Sequence, residues 1–195
     1  FGFGFAELGT VTWHAQKGLE ALKVQFEGGT TVGLDQEELG RHFRTSLDDM
    51  GKSELSGEME LDLGYEIQFL SHAALEPINC TASVTDHSCE VWGPFQNQTR
   101  TLNKVKEVTE LPEEQIKVHT TYVGGGFGRK GKVDFSEQAV MISKAIKKPV
   151  QVMWSREEDI QHDFYHPASR SRFQISLGED GMPMKWDNQQ AAASQ

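Results

Sequence analysis

The sequence predicts an α/β (α+β) fold of mixed sheets, and three observations carry that expectation. Alternating or β-rich runs, YEIQFL (residues 65–70), CTASV (80–84) and CEVWG (89–93), stand between short turns. Apolar residues at helical spacing mark two longer segments, one through Leu39, Phe43, Leu47 and Met50, the other through Phe135, Ala139, Ile142 and Ile146. A strand-like run from Gln115 to Val123 passes straight into Gly124-Gly125-Gly126-Phe127-Gly128, then the second helix pattern, then VQVMW (150–154). Strand, glycine loop, helix, strand is the order of a βαβ unit.

The elements follow in chain order. FGFGFAELGTV (1–11) reads as an irregular strand or a lead-in. Thr12 is placed to cap a helix whose Ala15, Leu19 and Leu22 share a face. LKVQFEGG (22–29) reads as a short strand ending in a glycine turn. Asp35 with Glu38 three residues on is a capping-box pattern opening the first long helix, and Gly51 supplies its stop. GKSELSGEMELDLG (51–64) is polar without a period and reads as an exposed linker. The expected division is therefore 1–60, a small α/β unit with its linker, and 61–195, a larger part.

CTASV and CEVWG face each other across Asp86-His87-Ser88 as a hairpin. Cys89 then pairs near Val84 and leaves Cys80 several positions away, so two free thiols are expected instead of a disulfide. Leu102 to Leu111 reads as a short amphipathic helix. Asp134 with Glu137 forms a second capping box, and Pro149 ends the helix that follows. Arg156 to Asp159 reads as a charged turn, and HDFYHPASRSR (162–172) leads into a last pair of strands.

Composition narrows the function classes. Lys and Arg number 19 against 29 Asp and Glu in 195 residues, a net charge of −10. That balance lacks the basic footprint of nucleic-acid or anionic-membrane binding. No apolar run approaches the roughly 18 residues of a membrane span. Two cysteines cannot hold an iron–sulfur cluster. No basic segment precedes an apolar one at the start, so the chain reads as a processed or excised piece and its localisation stays open.

The glycine loop is the sharpest chemical feature. Three successive glycines add no packing and cost backbone entropy, so they belong where backbone approaches something closely or aims N–H groups at an anion. Arg129 and Lys130 add positive charge there, and the alternative is a tight turn whose cations face solvent. Gly126 to Gly131 also matches G-x-G-x-x-G, with Glu157 where a ribose-binding acid would stand, although Gly131 precedes the helix start. A nucleotide-binding module and a non-catalytic α/β interaction domain are thus the alternative readings. His162 and His166 could ligate a metal only if helical, which Pro167 opposes. Glu157, Glu158 and Asp159 read as a solvated acidic turn, whereas Glu76, in the apolar HAALEPINC, needs a partner. Asn79 and Asn97 open glycosylation sequons that matter only in a secreted chain.

Five motifs occur in order: LEPINCTA, EVWGPFQNQ, VGGGFGRK, KPVQVMWSREEDI and HDFYHPAS. Together they resemble the molybdopterin-binding large subunit of the xanthine dehydrogenase and aldehyde oxidase family, nearest its branch of isoquinoline 1-oxidoreductase beta subunits and membrane-associated aldehyde dehydrogenases. The resemblance runs from about Tyr65 to the C-terminus and more loosely over WHAQKGLEALKV. It implies a molybdopterin-type molybdenum cofactor and hydroxylation of a heterocycle or aldehyde with water as the oxygen source. It also implies iron–sulfur clusters on a separate small partner subunit. By the same resemblance, Gln96 and the loop Gly124, Gly125, Gly126, Phe127, Gly128 and Arg129 are cofactor-binding, with Phe127 and Gly128 beside the molybdenum centre and Gln96 near its apical oxo.

Members that oxidise xanthine carry a substrate-binding Glu where this chain has Gly131, which argues against a purine substrate. The family's catalytic base lies in a later glycine-rich segment, and no counterpart is found up to Gln195. The chain is therefore expected to be a fragment, completed by the remainder of the large subunit, with no catalytic residue and no metal ligand of its own. Alone it is expected to bind the cofactor weakly and to show no turnover.

Overall fold

The computed structural model describes residues 8–25, 27–29, 32–33, 35–52 and 59–193. The chain divides into two compact units, Phe1–Leu39 and Gly40–Gln195. In the first, helix α1 spans Thr12–Ala21, and its N-cap is Val11 without a side-chain hydrogen bond, so Thr12 lies inside the first turn instead of capping it. The strand expected from LKVQFEGG does not form at its described residues, which have no regular structure. The expectation for 1–11 falls mostly on residues outside those described.

Helix α2 (Gln36–Asp49) opens as its capping pattern predicts, with the Glu38 N–H donating to Asp35 Oδ1 at 2.8 Å. It buries Phe43 and Leu47, and ends where Gly51 takes φ +73°. The linker expectation fails from Met59 onward, because strand β1 (Met59–Ile67) occupies that stretch. Leu61, Leu63, Tyr65 and Ile67 alternate with polar residues, and β1 pairs antiparallel with β6 (Ser169–Leu177), which pairs with β7 (Pro183–Ala192). The polar face of this sheet meets α2: Glu66 lies 3.8 Å from Arg44, and Arg172 donates to the Leu47 carbonyl.

The second sheet positions the site. Its order is β4-β3-β2-β5, built from β2 (Asn79–Val84), β3 (Cys89–Gly93), β4 (Ile116–Thr120) and β5 (Val150–Met153). β2 and β3 form the expected hairpin with Val84 opposite Cys89, and β3 runs parallel to β4. The crossover between that parallel pair is α3 (Gln98–Thr109), which begins before the predicted Leu102 because Asn97 accepts from the Arg100 N–H. Helix α4 (Asp134–Ile146) crosses from β4 to β5. It buries Phe135, Ser136, Ala139, Val140 and Ser143, so Ile146 stands outside the stripe expected for it and Ile142 only borders it. The reason is Ser143, whose hydroxyl accepts the Val84 N–H and donates to the Lys148 carbonyl, seating α4 over the end of β2. Residues 156–159 are not a turn but the start of α5 (Arg156–Gln161), capped by Ser155.

The core lies between α3, α4 and one face of the four-stranded sheet, with Ile78, Cys80, Ala82, Cys89, Val91, Phe95, Val105, Phe135 and Val140 all buried. Both cysteines are free. Burial, with a smaller contribution from Cys89 in the first case and Glu90 in the second, pushes the Cys80 thiol up to about 12 and the Cys89 thiol to about 11. The thiolate is the reactive form. At pH 8 the folded chain should resist a thiol reagent at both positions and react at both in urea; rapid labelling of the native chain would contradict this packing.

Candidate functional site

The parallel strands β3 and β4 end at the same sheet edge, beside the start of β2 and the end of β5. Ligand crevices of open α/β sheets lie at such carboxyl ends. Three segments meet there: Ser71–Ile78 ahead of β2, Pro94–Gln96 after β3, and the glycine loop after β4.

The loop contributes few side chains of its own, so neighbouring segments shape it. Glu76 and Gly124 are joined twice: the Glu76 N–H donates to the Gly124 carbonyl at 3.0 Å, and the Gly124 N–H to the side-chain Oε2 of Glu76 at 2.8 Å. Gln96 grips the other side, its N–H on the Lys130 carbonyl at 3.0 Å and its Oε1 accepting the Gly128 N–H at 3.1 Å. A Cβ at Gly126 would lie 2.4 Å from Gln96 Oε1, so the amide fills the space a side chain would need. Gly128 takes φ +104°, a conformation open mainly to glycine, while Phe127 is held at φ +52° with its ring exposed. The N–H groups of Gly125, Gly126 and Phe127 donate to no atom of the described residues.

The two cations after the loop do not face solvent or the crevice. Arg129 and Lys130 are each 1% exposed. Lys130 Nζ lies 2.6 Å from Glu76 Oε2, which supplies the partner that carboxylate was expected to need. Arg129 donates both terminal nitrogens to Asp134 at 2.9 and 2.8 Å, and its guanidinium packs on the Trp154 and Phe164 rings. Its Nε sits 3.0 Å from Asp163 Oδ1 without the N–H aimed at it. The second capping box is corrected for the same reason. Asp134 lies in the first turn of α4, Val133 is the N-cap, and the carboxylate that would cap serves Arg129 instead.

Asp163 also accepts from Ser71 Oγ, the His72 N–H and His72 Nδ1, the last at 2.9 Å. Burial pushes its carboxyl up, but these hydrogen bonds outweigh burial and hold it below its usual value. An ionised carboxylate only accepts, so His72 Nδ1 carries the hydrogen and Nε2 faces the loop, 3.7 Å from where a Gly128 Cβ would stand. Glu76 is likewise held low: burial opposes ionisation, and Lys130, the Gly124 N–H and the Asn79 amide overcome it.

Depressed carboxyls stabilise the fold fully above their unfolded values, near 4, and lose that contribution as pH falls through the folded ones. Asp159, raised by burial against its Arg156 partner, acts in the opposite sense. The urea midpoint should therefore fall between pH 6 and pH 3, and by less in Glu76→Gln; an equal fall in both would remove Glu76 from the cause.

The remaining candidates disperse. His162 closes α5 against Trp154, and His166 packs on His72 with ring centres 4.1 Å apart and the rings tilted by 39°. No group of three or more His, Cys, Asp or Glu able to hold a metal occurs among the described residues. Asn79 and Asn97 serve as structural hydrogen-bonding groups, to Glu76 and to the α3 N-terminus. Gly131 lies in the single-turn 3-10 helix Arg129–Gly131, before Asp134, outside the first turn of α4 where a dinucleotide fingerprint would need it.

The wall can thus offer three backbone N–H groups and the Gln96 Nε2, donors suited to electron-rich oxygens. Among the described residues no group of His, Cys, Asp or Glu side chains converges to hold a metal there. Sequence reasoning missed the His72–Asp163 pair, although Asp163 lies within the motif HDFYHPAS and His72 stands three residues ahead of LEPINCTA.

Comparison with known proteins bears on this geometry. The family model for the molybdopterin cofactor-binding domain matches residues 49–191. A membrane-bound aldehyde dehydrogenase [pyrroloquinoline-quinone] of Gluconacetobacter polyoxogenes is 27% identical over 191 residues, 91% of this chain and 25% of that protein. The isoquinoline 1-oxidoreductase subunit beta of Brevundimonas diminuta is 30% identical over 64% of this chain and 15% of that protein. Among solved structures, quinoline 2-oxidoreductase of Pseudomonas putida 86 superposes with a TM-score of 0.62 at 22% identity, covering 69% of this chain and 18% of that one. The aldehyde oxidoreductase of Desulfovibrio gigas gives 0.62 at 15% identity, over 70% and 15%. At those identities the structures speak for the fold. The chain spans a quarter or less of the length of these proteins.

Proposed function

The chain belongs to the molybdopterin cofactor-binding domain family, and on that premise we propose that it forms one wall of the cofactor site in the large subunit of a molybdenum hydroxylase. The substrate class is an aldehyde or a nitrogen heterocycle. Residues 61–195 supply the first part of the cofactor domain, and 1–60 close a smaller domain before it. The single observation that carries this reading is the loop Gly124–Gly128, braced by Glu76 and Gln96 with three N–H groups left to donate.

When bound, the molybdenum cofactor supplies the oxidising chemistry that places an oxygen from water on the substrate carbon. The protein's share is recognition and orientation. The N–H groups of Gly125, Gly126 and Phe127 donate to electron-rich oxygens without adding a group that titrates. Gln96 Oε1 is spent on Gly128, which leaves Nε2 to donate outward. The exposed Phe127 ring provides an apolar edge that sheds water. Arg129 contributes through its backbone and by anchoring the loop, since its side chain is committed to Asp134 and Asp163.

Leu75, Tyr122, Val123 and Phe127 are all exposed around the loop. Such an apolar surface suits burial against the remainder of a longer subunit. Electrons released in the reaction would leave to iron–sulfur clusters on a small partner subunit. The test is metal and cofactor analysis of the full-length subunit purified with its small partner. Stoichiometric molybdenum with a releasable pterin is expected. Pyrroloquinoline quinone in its place, or neither, would refute the reading.

A further inference from the structure

We propose that Glu76 and Lys130 form a charge clamp that positions the glycine loop, so that Glu76 shapes the cofactor wall without touching the cofactor. The inference rests on the reading of the loop as that wall. One carboxylate oxygen, Glu76 Oε2, holds both ends of the loop: the Gly124 N–H at 2.8 Å and Lys130 Nζ at 2.6 Å. The other oxygen accepts the Asn79 amide at 3.2 Å, which fixes the plane of the carboxylate.

From Gly124 to Gly128 the only side chain is Phe127, and it is exposed, so nothing within the loop packs it into one shape. Glycine has the most backbone freedom to lose, and order must be imposed from outside. Gln96 imposes part of it but also faces the proposed ligand. Glu76 is the other fastening. The Lys130 side chain has no exposure, and among the described residues its ammonium is paired with that carboxylate. Pairing Lys130 with a segment before β2 therefore ties loop, helix approach and sheet edge into one unit.

The experiment uses the full-length subunit with its partner, as Glu76→Gln, Lys130→Met and the double variant, assayed with an aromatic aldehyde and an artificial electron acceptor. Each single variant leaves an unpaired or mismatched buried group and should melt lower. The double variant buries no uncompensated charge and should melt close to wild type. Positioning requires that the double variant still show amide exchange about tenfold faster at Gly124 and Gly128, the loop N–H groups that are hydrogen-bonded, and kcat about tenfold lower with KM little changed. Return of exchange and kcat to wild type in the double variant would overturn the clamp and leave a purely structural pair. Unchanged loop exchange in the single variants would overturn it whatever the cofactor content. Faster exchange in variants of a subunit that carries no molybdenum would uphold the clamp and reject the cofactor reading, so the two fail separately.

Discussion

Gly126→Val should leave the full-length subunit folded and nearly empty of cofactor. The added Cβ would start 2.4 Å from Gln96 Oε1 and 2.6 Å from its Cδ, and it is the Gln96 side chain that yields. That chain stands at the exposed sheet edge and can swing away at little cost to the core, so the melting temperature should move by only a few degrees. The site loses more. Displacing Gln96 breaks its bond to the Gly128 N–H at 3.1 Å and moves the Nε2 donor out of place. Molybdenum content should fall about tenfold or more, the scale set by losing one or two well-placed hydrogen bonds. Gln96→Ala should fall comparably, and the double variant should be no worse than the poorer single, because both remove the same contact. Additive losses would show that Gly126 acts on the cofactor by another route. Full loading of Gly126→Val would show that the amide is not needed.

Arg129→Met should be the most damaging substitution for stability. The guanidinium is 1% exposed, and it faces Asp163, whose side chain is also 1% exposed, and Asp134. Methionine fills much of the volume between the Trp154 and Phe164 rings but leaves the Asp163 carboxylate in an apolar setting with only Ser71 and His72 as donors. Breaking a buried pair in this way costs about 3–5 kcal/mol. Urea denaturation should report a loss of that order, largest at neutral pH, where Asp163 is ionised. A loss below about 1 kcal/mol would mean that the network contributes no more than an exposed ion pair does.

The contrast between these two positions also explains what could be read from the chain beforehand. Close backbone approach was legible in Gly124-Gly125-Gly126, because no other residue type serves that purpose. The Asp35 cap was legible because it and the N–H it binds lie within one turn. Arg129 and Lys130 were not. Beside a glycine loop two cations look like ligand groups, and only the fold brings Glu76 and Asp163 to them. The same competition left the start of α4 legible but not its cap, because Asp134 is a cap by spacing and an arginine partner by structure. Strand β1 was read only from Tyr65 on, although Leu61 and Leu63 continue the alternation of Tyr65 and Ile67, since its polar face carries charges and Gly64 that resemble a linker. Those charges turn toward α2 instead, where Glu66 lies 3.8 Å from Arg44 and Asp62 meets Lys52 just past the helix end. The parallel pair β3 and β4 went unrecognised because its crossover helix starts at Gln98, inside what reads as a glycosylation sequon.

The central claim is that the loop amides bind the cofactor, and hydrogen exchange at Gly125, Gly126 and Phe127 tests it most directly. Those three N–H groups have no acceptor among the described residues, so in the unloaded full-length subunit they should exchange rapidly. In the molybdenum-loaded subunit they should exchange at least about tenfold more slowly, while buried amides of β2 and β3 stay the same. Equal rates at the three positions in both forms would contradict the claim.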